Sequence, residues 1–394
     1  MYKNIAAENR KNSVKRENYL EILLKNLAEH KLKRGRNLAL IGSLNIGKSF
    51  IVKEFLRRAS EDDEKKNNET TRCEVAYVDF SRIGLTPEEF ATKLLLGVTS
   101  WHLRKDVSSL DDCKLGSETT KIVEQVKNEF LKIKPDHKLL ISSALNFAEA
   151  LSKDKNLRTV VCLDEFWKLL EFNNYEQIKD VLTFFKQIIF AQSHVKYVVV
   201  GSAVTLMKEI SKKLEFEVVE TLPLNSRELA EERGNVKEND ELHYYSAGIP
   251  LFVNAIKARQ KSDEDSVKEA FAVECLWKQG IIYHACKDKL DDSLDRARGR
   301  GLLLTILNAV ANSDKIANSD GLRLSEVSRA IYRSAGVTKN LVERLVKVDL
   351  LVKESGRFRF NDSVLKYWFK NFTLGNDFEE VPTKNEIRDI EVRL

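Results

Sequence analysis

Short, nearly continuous apolar runs alternate with helix-length segments over the first 220 or so residues. The runs are rich in β-branched residues, which is typical of strands buried on both faces of a parallel sheet. They lie at 37–41, 74–80, 159–163, 195–200 and 217–222. The segment 60–72 contains no apolar residue and is predicted to be a solvated loop. The alternation predicts βαβ units and therefore an α/β fold.

After this region the pattern becomes helical. From about 225 to 299 strand-like runs are absent, which predicts a helical lid. Three amphipathic helical patterns follow at 301–311, 322–336 and 337–351, with a turn predicted at Gly336 and the third helix opening at Thr338. The segment 352–360 then contains two short strand patterns around Ser355 and Gly356, which indicate a hairpin. Three helices and a hairpin predict a winged helix-turn-helix.

One segment matches a phosphate-binding loop in full. Its residues are Gly42, Ser43, Leu44, Asn45, Ile46, Gly47, Lys48 and Ser49, which fit G-x-x-x-x-G-K-[ST]. An apolar strand precedes the loop, and an amphipathic helix that includes Phe50 follows it. Backbone N–H groups of such a loop surround phosphates because its glycines allow a close approach. We predict that 42–50 bind ATP, with Lys48 at the β- and γ-phosphates and Ser49 as a Mg²⁺ ligand.

The apolar run at 159–163 ends in two acids, Asp164 and Glu165. Asp164 is predicted to hold Mg²⁺ through water, and Glu165 to polarise the attacking water as general base. Apolar strands often end in an acid, so this interpretation depends on the phosphate loop that precedes it. Together the two motifs favour ATP hydrolysis over phosphoryl transfer to a small acceptor.

A third polar position, Ser202, follows the apolar run at 195–200. Ligands of doubly wound sheets lie at the carboxyl ends of strands, so Ser202 is expected to sense the γ-phosphate or to hold the attacking water. An N-cap of the following helix is an equal alternative. Trp167, like the other three tryptophans, lies among apolar residues and is interpreted as a core anchor.

These patterns predict four parts. Residues 1–223 form a P-loop ATPase domain with a parallel sheet, 224–299 a helical lid and 300–372 the winged helix-turn-helix. Residues 373–394 are predicted to be a C-terminal tail or a short capping helix.

Composition excludes several classes of protein. The chain is 43% hydrophobic and 32% charged with few prolines and glycines, which excludes collagen-like and wholly disordered chains. No run approaches the ~18 apolar residues of a membrane span, and the N-terminus lacks the apolar core of a signal peptide. We expect a cytoplasmic protein with no membrane partner. The five cysteines have neither disulfide-like nor zinc-like spacing and are expected to be free thiols.

Net charge is only +5, but it is unevenly distributed. Residues 321–372 contain 11 Lys and Arg against 5 acids, a net +6, while the rest of the chain is 54 against 55. The predicted nucleic-acid contacts are Lys339, Arg344 and Lys347 on the third helix and Arg357 and Arg359 on the hairpin. Glu343 and Asp349 interrupt this basic face, and such modules also bind proteins, so double-stranded DNA and a protein partner both remain open.

The order of motifs resembles the archaeal ATPase family, in the STAND branch of AAA+-related P-loop proteins, over about 14–372. Val14-Lys15-Arg16-Glu17 and the leucines that follow resemble the opening motif of that family, which packs beside adenine; the resemblance implies that Arg16 contacts the nucleotide. Gly248-Ile249-Pro250 resembles the lid motif G-x-P and implies that Pro250 approaches the base.

The sequence departs from that family inside the loop, where Leu44 and Asn45 replace two arginines. Archaeal replication-initiator ATPases carry a lid arginine in G-x-A-R, whereas this chain has Ser-Ala-Gly-Ile-Pro at 246–250. Arg227 is a candidate lid arginine, although an exposed arginine at a helix start is the simpler interpretation.

We therefore expect a Mg²⁺-dependent, slow ATPase that acts as a molecular switch and couples its nucleotide state to the winged helix. Its partners would be ATP or ADP together with duplex DNA, another protein or a second copy. One alternative is a DNA-binding initiator or loader of AAA+ type. Another is a signalling scaffold that does not bind DNA and self-associates with ATP.

Overall fold

The computed structural model describes residues 16–65, 72–81, 85–230, 236–260, 266–317, 319–388, 390 and 392. It contains two compact units. The first comprises residues up to 42 and residues 48–221, and the second comprises residues 43–47 and 222–394. Across the described ranges, none of the helices combines the length and the hydropathy that a bilayer crossing requires.

The first unit alternates helices and strands. In chain order its elements are α1 (Glu17–Lys31), β1 (Leu38–Ile41), α2 (Lys48–Lys65), β2 (Cys73–Asp79), α3 (Pro87–Leu103), α4 (Ser117–Phe130), α5 (His137–Asp154), β3 (Arg158–Asp164), α6 (Val181–Phe190), β4 (Val195–Gly201), α7 (Val204–Leu214) and β5 (Glu217–Glu220). Two short 3-10 segments, Leu110–Cys113 and Phe166–Asn174, follow α3 and β3. All five predicted strands are confirmed, and the predicted ends differ from the observed ones by at most two residues.

The five strands form one parallel sheet in the order β2-β3-β4-β1-β5. Asp79 at the end of β2 lies opposite Asp164 at the end of β3, and Ile41 lies opposite Gly201. Because parallel strands end at the same edge, the segments that follow β1, β3 and β4 begin close together. The predicted α/β class with a parallel sheet is confirmed.

The core lies on both faces of this sheet. Alternate residues of each strand, such as Leu40 and Ile41 of β1, belong to different apolar clusters. One cluster packs against α1 and α2, and the other packs against the helices from α3 to α7. Burial on both faces explains why the strands have continuous apolar runs rather than an alternating pattern.

Helix α2 is longer than the sequence predicted, because residues 60–65 continue it. Arg57 pairs with Glu54 and with Glu61 one turn to either side, and such pairs stabilise an exposed helix face. The Ser60 hydroxyl donates to the Leu56 carbonyl oxygen at 2.9 Å. The prediction of a loop was therefore wrong for 60–65, and 66–71 lie outside the described residues.

The second unit is mostly helical. Its elements are α8 (Ser226–Ala230), α9 (Val236–Ser246), α10 (Pro250–Arg259), α11 (Val267–Leu276), α12 (Ile281–Ala297), α13 (Arg300–Ala311), α14 (Ser313–Ala317), β6 (Leu322–Arg323), α15 (Leu324–Ala330), α16 (Ala335–Lys347), β7 (Leu351–Glu354), β8 (Arg357–Phe360), α17 (Ser363–Leu374) and α18 (Lys384–Arg388). Strand β8 pairs antiparallel with both β6 and β7. The described residues between 222 and 299 contain no strand, as the sequence predicted.

The hairpin and the third helix of the predicted winged helix-turn-helix, α16, differ in how well they were predicted. Ser355 and Gly356 both have positive φ, which is the geometry of a two-residue hairpin turn, and the hairpin is confirmed. The turn predicted at Gly336 was wrong, because α16 already begins at Ala335. Ser334 caps this helix, and its hydroxyl accepts a bond from the Val337 amide. Thr338 is therefore a buried residue inside the helix rather than its start.

The segment after α17 packs against the helices of the same unit. The Phe378 amide donates to the Leu276 carbonyl oxygen, and the Lys278 amide donates to the Phe378 carbonyl oxygen, each at 2.9 Å. Further along, the side chains of Ile387 and Val392 are buried. The described residues after α17 thus pack along α11 and α12, and they include the short helix α18.

Candidate nucleotide-binding site

The segment between β1 and α2 makes a tight turn with two residues of positive φ. Asn45 has φ 64° and Gly47 has φ 96°, a region that glycine adopts freely and asparagine tolerates. Ile46 is fully buried, and its amide donates to the Ser43 carbonyl oxygen at 3.4 Å. Because α2 begins directly after this turn, its first N–H groups have no acceptor within the helix and can bind an anion.

Lys48, the first residue of α2, is buried. Its Nζ atom donates to the Gly42 carbonyl oxygen at 2.8 Å. Burial lowers the pKa of Lys48 to about 8, while the charges of Glu165 and Asp164 act in the opposite direction. A buried cation therefore lies within electrostatic reach of two acids that are far away in sequence.

Asp164 ends β3 and is held by two donors. Its Oδ2 atom accepts from the Tyr77 hydroxyl at 2.8 Å, and its Oδ1 atom accepts from the Glu165 amide at 2.9 Å. Burial raises the pKa of Asp164, repulsion from Asp79 adds to the rise, and the bonds from Tyr77 and the amide oppose it. The carboxylate is oriented, and lone pairs remain for a further ligand.

Glu165 follows Asp164 with φ 51°, a strained conformation for this residue. Its carboxylate accepts from the Trp167 indole N–H and from the Ser202 hydroxyl, at 3.1 and 3.2 Å for the two Ser202 contacts. Burial raises the pKa of Glu165, and the bond from Trp167 opposes the rise. A raised pKa and a defined orientation are what a general base near neutral pH requires.

Ser202 thus joins the ends of β4 and β3 through its bond to Glu165. The cap of α7 is Ala203, so the alternative that Ser202 caps this helix was wrong. Trp167 is half-buried with its indole N–H committed to Glu165, so it does more than anchor the core.

The residues predicted to hold Mg²⁺ supply oxygen atoms, which are the ligands that this ion prefers. Ser49 is exposed on the first turn of α2, with Phe50 beside it, and Asp164 lies at the sheet edge. Among the described residues, no three His, Cys, Asp or Glu side chains form a metal cluster. One carboxylate, one hydroxyl and phosphate oxygens suit Mg²⁺, which is seldom held by a cage of protein groups alone.

The two residues implied by the family resemblance lie at helix starts. Arg16 precedes α1, is buried, and has its guanidinium 5.7 Å from the centre of the Tyr19 ring; Val14 and Lys15 lie outside the described residues. Pro250 is the first residue of α10. In the same unit, a Cβ atom placed on Gly47 would lie 4.0 Å from the Pro250 Cγ atom.

Gly248 has φ 66°, and a Cβ atom there would lie 2.2 Å from the Leu224 carbonyl oxygen. Only glycine fits this position, so the residues Gly-Ile-Pro follow from backbone packing whatever their role toward a ligand. Arg227 is exposed on the five-residue helix α8, in agreement with its simpler interpretation.

The five predicted nucleic-acid contacts fall into two groups. Arg344 donates through Nε to the Ala297 carbonyl oxygen at 2.8 Å, and Arg357 bonds Ser319, Gly321 and Glu326. Arg359 forms an exposed pair with Glu354, while Lys339 and Lys347 are exposed on α16. Arg344 and Arg357 thus serve the unit itself.

Sequence reasoning missed Tyr77, Asp79 and the contact of Trp167. The first two alternate along β2, and Asp79 ends that strand as Asp164 ends β3. An apolar strand that ends in an acid was the available signal. It led to the prediction of Asp164 at the end of β3, but Asp79 at the end of β2 was not predicted. Only the pairing of β2 with β3 shows that these side chains share one edge.

Comparisons with known proteins are consistent with this geometry. A model of the bacterial TniB protein family matches residues 5–112, which include the phosphate loop. No curated protein sequence matches the chain significantly.

Two solved structures are similar over most of their length. A Walker-type ATPase of Pyrococcus abyssi has 17% identity and a TM-score of 0.60, over 92% of this chain and 97% of the other. The ORC2 protein of Aeropyrum pernix, in ADPNP–ADP complexes, has 16% identity and a TM-score of 0.50, over 94% and 98%. At these identities the likeness establishes the fold, which is that of P-loop ATPases.

Proposed function

We propose that this chain binds ATP with Mg²⁺ and hydrolyses it slowly. Its nucleotide state is transmitted to the C-terminal helices and hairpin, which form a winged helix-turn-helix that binds DNA or a protein. The observation that carries the proposal is the grouping of buried Lys48, buried Asp164 and half-buried Glu165 at the carboxyl edge of the sheet. The full phosphate-loop turn before α2 supports it.

Each residue of the site has a role that its contacts support. Lys48 and the first amides of α2 bind phosphate oxygens, and Ser49 and Asp164 hold Mg²⁺, which neutralises phosphate charge when bound. Glu165 accepts a proton from the attacking water, and Ser202 orients Glu165 and senses the γ-phosphate. Arg16 and Pro250 contact the base, as the family resemblance implies.

Contacts inside the second unit support the coupling. Residues 43–47 of the loop belong to this unit, in which Pro250 lies near Gly47. Helix α12 is joined to the C-terminal elements by a partly buried ion pair between Lys289 and Asp362 at 2.8 Å. The Ser293 hydroxyl also donates to the Val348 carbonyl oxygen. We infer that the lid and the winged helix respond to nucleotide as one piece.

The test measures ATP binding and hydrolysis separately with purified full-length chain and Mg²⁺. Lys48→Ala should raise the Kd for ATP about 100-fold, roughly 3 kcal/mol, because a charge-assisted contact to phosphate is lost. Glu165→Gln should keep the wild-type Kd and slow hydrolysis about 100-fold or more, since a positioned base contributes that much.

Lys53→Ala is the matched control, because it removes a lysine from the same helix one turn later. It should leave both the Kd and the rate unchanged. Wild-type affinity in Lys48→Ala would remove the phosphate-loop assignment, and undiminished turnover in Glu165→Gln would place the base elsewhere.

A further inference from the structure

Several of the 11 Lys and Arg side chains of residues 321–372 are bonded inside the second unit. Arg357 and Arg359 pair with Glu326 and Glu354. Lys366 and Lys370 pair with Asp320 and Asp314, which lie just before this stretch. With Arg344 bonded to Ala297, the cations available to a partner are fewer than the sequence count indicates.

Six exposed cations of 321–372 remain, of which Arg323 lies on β6 and Lys353 on β7, and the other four lie on α15, the turn after it and α16. Arg329 at the end of α15 and Lys347 at the end of α16 are exposed and have no side-chain partner among the described residues. Arg333 bonds only the carbonyl oxygen of the preceding residue, and Lys339 lies 3.9 Å from Glu343. This surface, defined by Arg329, Tyr332, Arg333, Lys339 and Lys347, is called the turn surface below.

Tyr332 lies at the centre of the turn surface in an unfavourable conformation. It has φ 53° and is 87% exposed, and no described ring packs on it. Its amide donates to the Arg329 carbonyl oxygen, and the Arg333 amide donates to the Ser328 carbonyl oxygen. These two bonds define the helix ending in which glycine is strongly preferred at the position Tyr332 occupies. Folding alone would favour glycine there.

We propose that the turn surface binds duplex DNA, with the Tyr332 hydroxyl and the four cations on backbone phosphates. This proposal rests on the proposed function for the role of the winged helix. Of the five contacts predicted from the sequence it keeps Lys339 and Lys347, and Arg329, Tyr332 and Arg333 take the place of Arg344, Arg357 and Arg359. Tyrosine and arginine side chains are common phosphate contacts in protein–DNA complexes. The outward side of α16 adds Asn340, an exposed amide of the kind that reads adenine in the major groove.

Charge complementarity favours DNA over a protein partner. From α15 to the end of α16 the four cations and one acid, Glu343, are exposed, while Glu326 is half-buried and paired with Arg357. Asp349, just after α16, is half-buried. The exposed large hydrophobic side chains at the turn and the start of α16 are Tyr332, 87% exposed, and Val337, 46% exposed. Two such side chains fall short of the continuous apolar centre that stable protein interfaces bury. The phosphates of duplex DNA form a regular array of negative charges, which is complementary to cations spread along a turn and a helix.

The experiment titrates a short mixed-sequence duplex against the full-length chain at several salt concentrations. Four phosphate contacts predict that log K falls with log salt at a slope of about −3 to −4. Arg333→Gln should make the slope shallower by about 0.9. Tyr332→Gly should weaken binding about 5- to 10-fold at an unchanged slope, because a neutral contact releases no counterion.

Tyr332→Gly also separates binding from folding. Glycine suits the left-handed conformation, so the variant should unfold at the same or a higher temperature while it binds DNA less tightly. Lys179→Gln, which removes an exposed cation from the first unit, is the matched control and should leave the slope unchanged.

Wild-type DNA affinity in both Tyr332→Gly and Arg333→Gln would overturn the proposal. A second outcome would also overturn it: the chain does not bind duplex but self-associates, and Tyr332→Gly abolishes the self-association. The turn would then bind a protein partner. ATP hydrolysis is measured on the same samples. Duplex binding with these slopes but without hydrolysis would support the turn surface and overturn the proposed function, whereas hydrolysis without duplex binding would overturn the turn surface alone.

Discussion

The acidic edge of the parallel sheet and the basic C-terminal elements use their charges in opposite ways. At the sheet edge, Asp164 and Glu165 are buried or half-buried, and each accepts hydrogen bonds from side chains or amides of the same unit. In the C-terminal elements, the side chains we propose as functional are those that the fold leaves exposed. The first region is oriented before a ligand arrives, and the second is completed by its partner.

The comparison shows that the same observation has different meanings in the two regions. Several internal bonds to Glu165 indicate a positioned catalytic group, since a buried carboxylate needs them to keep its geometry. The bond from Arg344 to the Ala297 carbonyl oxygen indicates instead a structural role inside the unit. We therefore interpret bonded side chains as functional at the sheet edge and as structural in the basic region.

The largest expected effect tests that assignment of Arg344. Arg344→Ala should lower the free energy of unfolding by about 2 kcal/mol, because a charged donor to the Ala297 carbonyl oxygen is lost. The measurement is denaturant unfolding of the full-length chain followed by fluorescence and circular dichroism.

Lys347→Ala, on the same helix, provides the contrast. Lys347 is exposed and unpaired within the described residues, so the substitution should change stability by less than about 0.5 kcal/mol. Equal stability of the two variants would contradict the assignment of Arg344 to the structure of the unit and of Lys347 to a binding surface.

The fold was predictable because its signals are local. Five apolar runs bounded by helical patterns correctly placed β1 to β5, and the positive-φ pair at 355–356 was visible as Ser-Gly. Errors arose where several local signals competed. Gly336 was interpreted as a turn although Ser334, two residues earlier, is the stronger cap. Residues 60–65 were interpreted as a loop although they continue a helix, on which Glu61 pairs with Arg57.

The site was predictable only as far as its motifs extend along the chain. Lys48, Asp164 and Glu165 each belong to a short pattern with a chemical reason. Tyr77 and Trp167 do not, since their bonds to the acids depend on the register of β2 with β3 and on the 3-10 segment after β3. In the basic region, a charge count along the chain contains no information on pairing between elements.

A smaller expected effect tests whether the sheet edge is oriented as described. Trp167→Phe removes the indole N–H donor to Glu165 and keeps most of the ring. This bond lowers the pKa of Glu165, so its loss should raise that pKa further above its ordinary value. A base must be deprotonated to act, so the acidic limb of the kcat profile should move to higher pH. We expect kcat to fall on the acidic side of the profile and to approach the wild-type value as pH rises.

Trp277→Phe is the matched control for this variant. Its indole N–H donates to the Glu379 carbonyl oxygen in the second unit, so the same group is removed away from the acids. The control should keep the wild-type pH profile. A kcat that falls in Trp167→Phe with no movement of the acidic limb would show that Trp167 supports the fold and does not tune Glu165.

The smallest expected effect concerns Lys48. This buried lysine is the residue that we expect to contact the phosphates of ATP. Burial lowers its pKa to about 8 in the free protein, and bound phosphates would raise it again. Above pH 8 the free chain must take up a proton to bind ATP, so affinity should fall as pH rises, by about fourfold between pH 7 and 8.5. Calorimetric titrations of ATP in buffers with different ionisation enthalpies measure this uptake directly. Proton uptake that stays near zero up to pH 9 would mean that Lys48 remains fully charged without ligand, and that this edge is more hydrated than its burial indicates.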